Sequence, residues 1–325
     1  MMMRPLGRTG METTALGMGC WAIGGVWDHM GSPAGWGETD DAESLKALEA
    51  AYDAGIRLFD TAANYGAGLS ERLVGKALKP YRDQCVISTK FGYAIDEAAK
   101  ATTSYGDPVS GDVASHIQAD CEASLRRLDT DYIDVFFFHV NQYDNDKALH
   151  VRDELEKLVD HGKIRSYGWS TDDVPSARLF SEGEHCSAVQ VNFSIVSDAP
   201  EMLVLCDEAK ISAFNRGPLA MGFLTGKYDA STTFGPTDVR SAEWVREYFQ
   251  KPAVARLDAL RDILTTNGRT LAQGALAWIW AKSGWTLPIP GIRTVAQAME
   301  NAGALEKGPL TPAQLVEVDR VVGRD

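Results

Sequence analysis

Ala54-Gly55-Ile56-Arg57-Leu58-Phe59-Asp60-Thr61-Ala62-Ala63-Asn64-Tyr65-Gly66 is the stretch on which the reading of this chain turns. Its apolar residues Ile56, Leu58 and Phe59 make a short strand that ends on a carboxylate. Five residues further on, Tyr65 sits in a turn of small residues. An apolar strand running into an ionisable side chain marks an α/β protein that keeps its chemistry at the carboxyl ends of its strands. The pattern recurs outward from here. Val86-Ile87-Ser88-Thr89-Lys90 ends on a lysine, and Val135-Phe136-Phe137-Phe138-His139 on a histidine.

Short apolar runs alternate with amphipathic stretches along the whole chain. Strands are expected at Leu16–Gly19, Arg57–Asp60, Cys85–Lys90, Ile133–His139, Ile164–Gly168, Ala188–Asn192, Ile211–Asn215 and Thr286–Ile289. Helices are expected at Asp41–Ala54, Ser70–Leu78, Ser115–Leu128, Leu149–Asp160, Val174–Phe180, Glu201–Ala209, Leu271–Lys282 and Val295–Leu305. Eight strands with intervening helices is the count of a (β/α)8 TIM barrel. A doubly wound dinucleotide fold would need G-x-G-x-x-G opening a helix after the first strand. Gly17-Met18-Gly19 instead runs into Cys-Trp-Ala and a polar loop. Residues Arg4–Thr14 read as an N-terminal β-hairpin turning at Arg-Thr-Gly. The segment Gly217–Glu247 is too long for a minimal connection and is expected to be a carboxyl-face ligand loop. No composition break divides residues 1–325, which read as a single domain.

The net charge of −13 argues against a nucleic-acid or anionic-membrane surface. The five cysteines are scattered, with no CxxC pair and no metal-ligand spacing. The N-terminal residues lack a signal-peptide core, and no run approaches a membrane span. A cytoplasmic enzyme acting on a small molecule, without metal, is expected.

In a parallel barrel the ends of strands two, three and four are neighbours, so Asp60, Tyr65, Lys90 and His139 are expected to share one site. A phenol with its usual pKa near 10 is a poor acid at neutral pH. The Lys90 ammonium is expected to lower that pKa, Asp60 to hold Lys90 protonated, and His139 to orient a carbonyl. Such a set protonates a forming alkoxide, or deprotonates an alcohol in reverse. Its missing reductant is expected to be a nicotinamide.

With their flanking residues, Asp60, Tyr65, Lys90 and His139 resemble the tetrad of the aldo-keto reductase superfamily. Ser88-Thr89-Lys90-Phe91-Gly92 and Ile289-Pro290-Gly291 are similar to other signatures of that family. Pro218 to Tyr228 is closest in flavour to the bacterial and potassium-channel-β-like branch. The resemblance implies that Ser170 and Gln190 hold the nicotinamide carboxamide. Thr171 stands where the family usually has asparagine. Arg216 falls where many members stack a tyrosine on the nicotinamide, with Phe214 as the alternative platform. Leu219 to Gly222 and Lys227 would clamp the pyrophosphate, with Gly19, Trp21, Asp60, Pro218, Leu224, Ile289 and Gly291 as further contacts.

The segment from Gly291 opens a helix after strand eight, an anion site by its free amides. Arg293 suits a 2′-phosphate, and Gln297, Glu300 and Asn301 the adenine. The better-known eukaryotic branch carries lysine at the position of Gly291 and arginine at that of Gln297. Their absence here leaves fewer charges for the phosphate; with Arg293 present, NADP(H) is favoured, with NAD possible. Trp21, Trp27 and Tyr93 are expected to line the substrate pocket with Tyr65 and His139. His29, Asp28 and Tyr105 lie in loops near its mouth. This mixture suits an aldehyde or ketone, including a sugar or another polar carbonyl. The alternatives are an NAD-dependent sugar or pyridoxal-type dehydrogenase working oxidatively, and a non-catalytic NADP(H)-sensing regulatory subunit.

Overall fold

The computed structural model describes residues 1–229, 231–246 and 249–324. Its frame is an eight-stranded parallel sheet: β1 (Gly17–Gly19), β2 (Leu58–Asp60), β3 (Val86–Phe91), β4 (Ile133–Phe138), β5 (Ile164–Ser170), β6 (Cys186–Asn192), β7 (Ser212–Arg216) and β8 (Thr286–Pro288). Neighbours in sequence are neighbours in the sheet. The sheet closes where Gly19 bridges Gly291, with the Gly19 N–H on the Pro290 carbonyl at 2.9 Å. A Cβ on Gly19 would stand 2.6 Å from the Ile289 carbonyl oxygen, so the seam requires glycine there. This is a (β/α)8 TIM barrel.

Period-two alternation decides which side chains fill it. On β3, Val86, Ser88 and Lys90 face the axis, while Ile87 packs outward and Thr89 reaches Glu71 on the helix Leu69–Leu78. On β2, Leu58 and Asp60 point inward and Phe59 outward. Leu58, Val86, Val135, Phe137, Ala188, Phe214 and Leu287 form the interior apolar layer. The N-terminal hairpin, pairing Met3–Pro5 with Glu12–Thr14, places Leu6 against it as a plug. Arg8 pins that plug to the carbonyls of Ser181, Gly183 and Cys186.

The eight expected helices are present, with ends moved by a few residues. Beyond these the described residues add two long helices, Lys251–Leu264 and Pro312–Val322, in the outer layer, and the single turn Glu243–Arg246. Several begin on side-chain caps that satisfy free N–H groups: Asp40, Asp144, Asp173, and the Thr270–Gln273 and Thr311–Gln314 capping boxes. Trp278 and Trp280 are fully packed, and the Trp280 indole donates to the Ala15 carbonyl at 2.7 Å.

Two features over the carboxyl face bear on the site. A four-stranded sheet forms from Ser32–Pro33, Asp28–His29, Ala101–Ser104 and Tyr93–Asp96. Second, the segment after β7 crosses the mouth and bridges Trp36 through Asp238, with the Val239 N–H on the Gly35 carbonyl at 2.8 Å. Arg240 braces this strap, pairing with Asp238 at 2.6 Å and donating to the Tyr228 hydroxyl at 2.9 Å. Ala230 and Glu247, inside the expected ligand loop, lie outside the described residues.

Candidate active site

The deepest part of the site is built from strand ends. Lys90 is fully buried, and its three ammonium protons each have an acceptor within reach. These are Asp60 Oδ2 at 2.7 Å, the Thr61 carbonyl at 2.6 Å and the Tyr65 hydroxyl at 3.3 Å. Asp60 Oδ1 accepts from Ser88 Oγ at 2.8 Å and Gln190 Nε2 at 2.9 Å. A buried ion pair survives desolvation only when its remaining valences are met in this way. Tyr65 is aimed by its turn. Gly66 adopts φ +63°, and a Cβ there would stand 2.1 Å from the Gly24 carbonyl oxygen. His139 hangs from the end of β4, its N–H on the Phe91 carbonyl, with its ring edge-on to Tyr65 at 5.9 Å.

Burial pushes the Tyr65 phenol up; Lys90 pulls it down, Asp60 pushes it up again, and the balance is upward. The lowering expected from Lys90 is thus present but outweighed, because the ring lies in a desolvated pocket. Burial alone would lower the Lys90 ammonium, yet Asp60 and Tyr65 hold it above its ordinary value. Burial first, then the Lys90 and Arg216 cations, hold the His139 imidazole well below its ordinary value. At neutral pH the site therefore presents a protonated phenol, a charged lysine and a neutral imidazole.

A cavity of about 430 Å³ opens above these groups and runs out along the barrel rim. Asp60, Tyr65 and His139 form its floor, and Gly19, Trp21, Trp27, Ser170 and Gln190 line its walls. Pro218, Leu219, Gly222, Lys227, Ile289, Gly291, Arg293, Gln297, Glu300 and Asn301 line the outward arm. Trp21 stacks on Tyr65 at 6.0 Å and donates to the Ala34 carbonyl. Arg216 is at the rim, paired with Asp172.

Four expected contacts fall elsewhere. Phe214 belongs to the interior layer, 5.1 Å from Phe137, because it faces the barrel axis two residues before Arg216 on β7, one layer below the rim. Arg216 is therefore the one of the two alternatives that reaches the cavity. Thr171 is fully buried; its hydroxyl donates to the Asn141 carbonyl and accepts from the Asp173 N–H, which closes the turn. Leu224 is fully buried, with its N–H on the Leu219 carbonyl, as support for the loop. Tyr93 stands one layer back, edge-on to His139 and His29, and does not line the cavity.

The cavity also has walls that the sequence did not disclose. Asn64, Trp36, Asn141, Asn192, Tyr228 and Arg240 all line it. Trp36 and Arg240 come from loops that meet only in three dimensions. Asn64 was readable, since it sits beside Tyr65 on the same turn.

The outward arm suits a phosphate-bearing ligand. Ala220, Met221 and Gly222 all take positive φ, a strained backbone of the kind found at ligand clamps. Lys227 and Arg293 supply cations at that end. The helix Val295–Ala302 opens there on a Thr294 cap, and Gln297 Oε1 accepts from the Arg293 N–H at 2.9 Å. The Arg293 guanidinium donates to the Trp36 carbonyl at 3.2 Å, which ties this arm to the strap.

Comparison with known proteins places the geometry in a lineage. The model of the aldo/keto reductase family matches residues 15–322, and the chain belongs to that family. Aldo-keto reductase YhdN of Bacillus subtilis (strain 168) is 33% identical over 303 residues, covering 89% of this chain and 84% of its own. "Aldo-keto reductase yakc [NADP(+)]" of Schizosaccharomyces pombe is 30% identical, covering 97% of this chain and 90% of its own. Among solved structures, the glycerol dehydrogenase AKR11B4 from Gluconobacter oxydans superposes with a TM-score of 0.83 at 27% identity, over 99% of this chain and 95% of that one.

Proposed function

We propose that this protein reduces an aldehyde or ketone with NADPH, and runs the reverse oxidation of the alcohol, with Tyr65 as the proton donor. The observation that carries the reading is the Lys90 ammonium set between Asp60 and the Tyr65 hydroxyl, with neutral His139 across the same floor. When bound, the cofactor supplies the hydride. The chain's residues do the rest. His139 holds the substrate oxygen and fixes its orientation. Tyr65 delivers its proton to that oxygen as negative charge gathers there, and Lys90 stabilises the tyrosinate left behind. Asp60 keeps Lys90 charged and aimed.

The residues present fit the cofactor. Ser170 and Gln190 offer hydroxyl and amide groups beside the floor, 3.5 Å apart, and Arg216 offers a planar face at the rim. Leu219 to Gly222 with Lys227 would hold the pyrophosphate, and Arg293 the 2′-phosphate. The bracketed cofactor in the yakc relative's name supports NADP. The polyol named in the Gluconobacter neighbour favours a hydroxylated substrate, and with it a second reading in which oxidation is the physiological direction. A protonated phenol at neutral pH favours reduction instead.

Steady-state consumption of NADPH with a simple aldehyde tests the reading. Tyr65→Phe is expected to abolish turnover while leaving cofactor binding, read by quenching of protein fluorescence, largely intact. Undiminished turnover in that variant would remove Tyr65 as the acid.

A further inference from the structure

We infer that His29 is a specificity-determining residue, donating from Nε2 to a hydroxyl that the substrate carries beside its reacting carbonyl. The inference rests on the reductase reading and concerns the part of the cavity that no cofactor contact uses. His29 lines that cavity from the small sheet above the barrel mouth. It is fixed there from several sides. The Asp28 N–H donates to the Lys100 carbonyl and the Met30 N–H to the Thr102 carbonyl, both at 2.9 Å. The imidazole is wedged between Trp27 at 5.7 Å and Tyr93 at 4.7 Å. Trp27 shares a buried cluster with Ala62 and Tyr65, and Tyr93 packs on His139. His29 is therefore one ring, Tyr93, removed from His139, and it borders the cluster that holds Tyr65.

Its protonation state follows from one contact. Nδ1 lies 2.8 Å from the hydroxyl of Thr102, which is 1% exposed. That hydroxyl has no other partner among the described residues, so its proton goes to Nδ1. The ring proton is then on Nε2. Burial, against the opposing pull of Asp28, holds His29 below its ordinary value, so the ring is neutral. Nε2 has no partner among the described residues. A neutral donor clamped in a chamber of aromatic rings suits a hydroxyl oxygen on a short carbon chain. A plain alkyl chain would leave the N–H without a partner, and polar groups built to be paired discriminate most strongly in that way.

The test compares two three-carbon aldehydes, glyceraldehyde and propanal, under saturating NADPH. His29→Leu is expected to lower the glyceraldehyde-to-propanal ratio of kcat/KM by roughly tenfold, chiefly through KM. His29→Gln, which keeps an N–H donor, is expected to recover part of it. Thr102→Val should shift the ratio in the same direction by less, and Thr102→Ser should restore it. Thermal melts establish that each variant is folded. An unchanged ratio, or equal losses on both aldehydes, would overturn the assignment. If the wild type reduces neither aldehyde, the reductase reading fails, and His29 is judged by binding alone. Tryptophan fluorescence titrated with glycerol and with 1-propanol then decides. A glycerol-selective response lost in His29→Leu supports the role, and identical responses in both proteins overturn it.

Discussion

Two buried carboxylates, at opposite ends of the same barrel, are satisfied in opposite ways. Asp134, near the start of β4, is fully buried and held by Arg82 and Arg165, each at 2.8 Å, with the Ile87 N–H at 2.9 Å. Asp60, at the end of β2, is 2% exposed and held by Lys90, Ser88 and Gln190. Arginine does not give up its proton in a protein, so the Asp134 cluster has one protonation state and can only hold the chain together. Lysine is a compact charge whose third proton is left for a phenol. On the proposed reading, exchanging the partner from guanidinium to ammonium, and adding a tyrosine, turns a clasp into an acid.

The comparison can be broken most decisively at the phenol. Tyr65→Phe is expected to cut turnover by about 10³-fold, within the range for loss of a positioned acid, with little change in thermal stability. Lys90→Met should lose a similar share of activity and also destabilise the fold, because Asp60 is left buried without its cation. Asp134→Ala should do the reverse. Its unfolding free energy should fall by about 3 kcal/mol, read by denaturant titration, while kcat per folded molecule is kept. If Asp134→Ala also abolished turnover, the division of labour between the two clusters would be wrong.

The pH profile sharpens the contrast further. Tyr65 titrates above its ordinary 10.0, so the reductive rate should hold through the neutral range and fall only as alkali removes the phenol proton. His139 titrates well below 6.5, so no loss from its protonation is expected near neutrality. An alkaline limb beginning near neutrality would show that Lys90 outweighs burial after all. The smallest expected effect is at the far end of the cavity. Arg293→Ala should weaken NADPH several-fold more than NADH by fluorescence titration, and equal losses would exclude a 2′-phosphate contact.

What was legible in the sequence follows the same division. Every barrel strand could be placed, because each is an apolar run with a polar boundary, and parity then delivers Asp60 and Lys90 to one floor. Sequence alone does not choose between Phe214 and Arg216 because the depth of a residue in the barrel depends on register; two residues along β7 separate the interior layer from the rim. The Thr171 hydroxyl is taken up by its own turn, since a hydroxyl there has local partners that spacing does not reveal. The small sheet over the mouth has no sequence signal because its strands are two to four residues long and its two short hairpins join across some seventy positions. Trp36 and Arg240 entered the site through a contact between loops about two hundred residues apart, and no local pattern encodes that.

The seam at Gly19 and Gly291 has a consequence in time. These residues are 272 positions apart (291 − 19), so the last edge of the sheet closes only when nearly the whole chain has been gathered. Contacts of such separation form late, since the chain must lose its freedom before they give anything back. The segment that makes the seam leads within two residues to Arg293 and the far arm of the cavity. A ligand lying along that arm would rest on one of the longest-range joints of the molecule. Saturating cofactor is therefore expected to slow unfolding, acting as a latch on the barrel as well as a reagent.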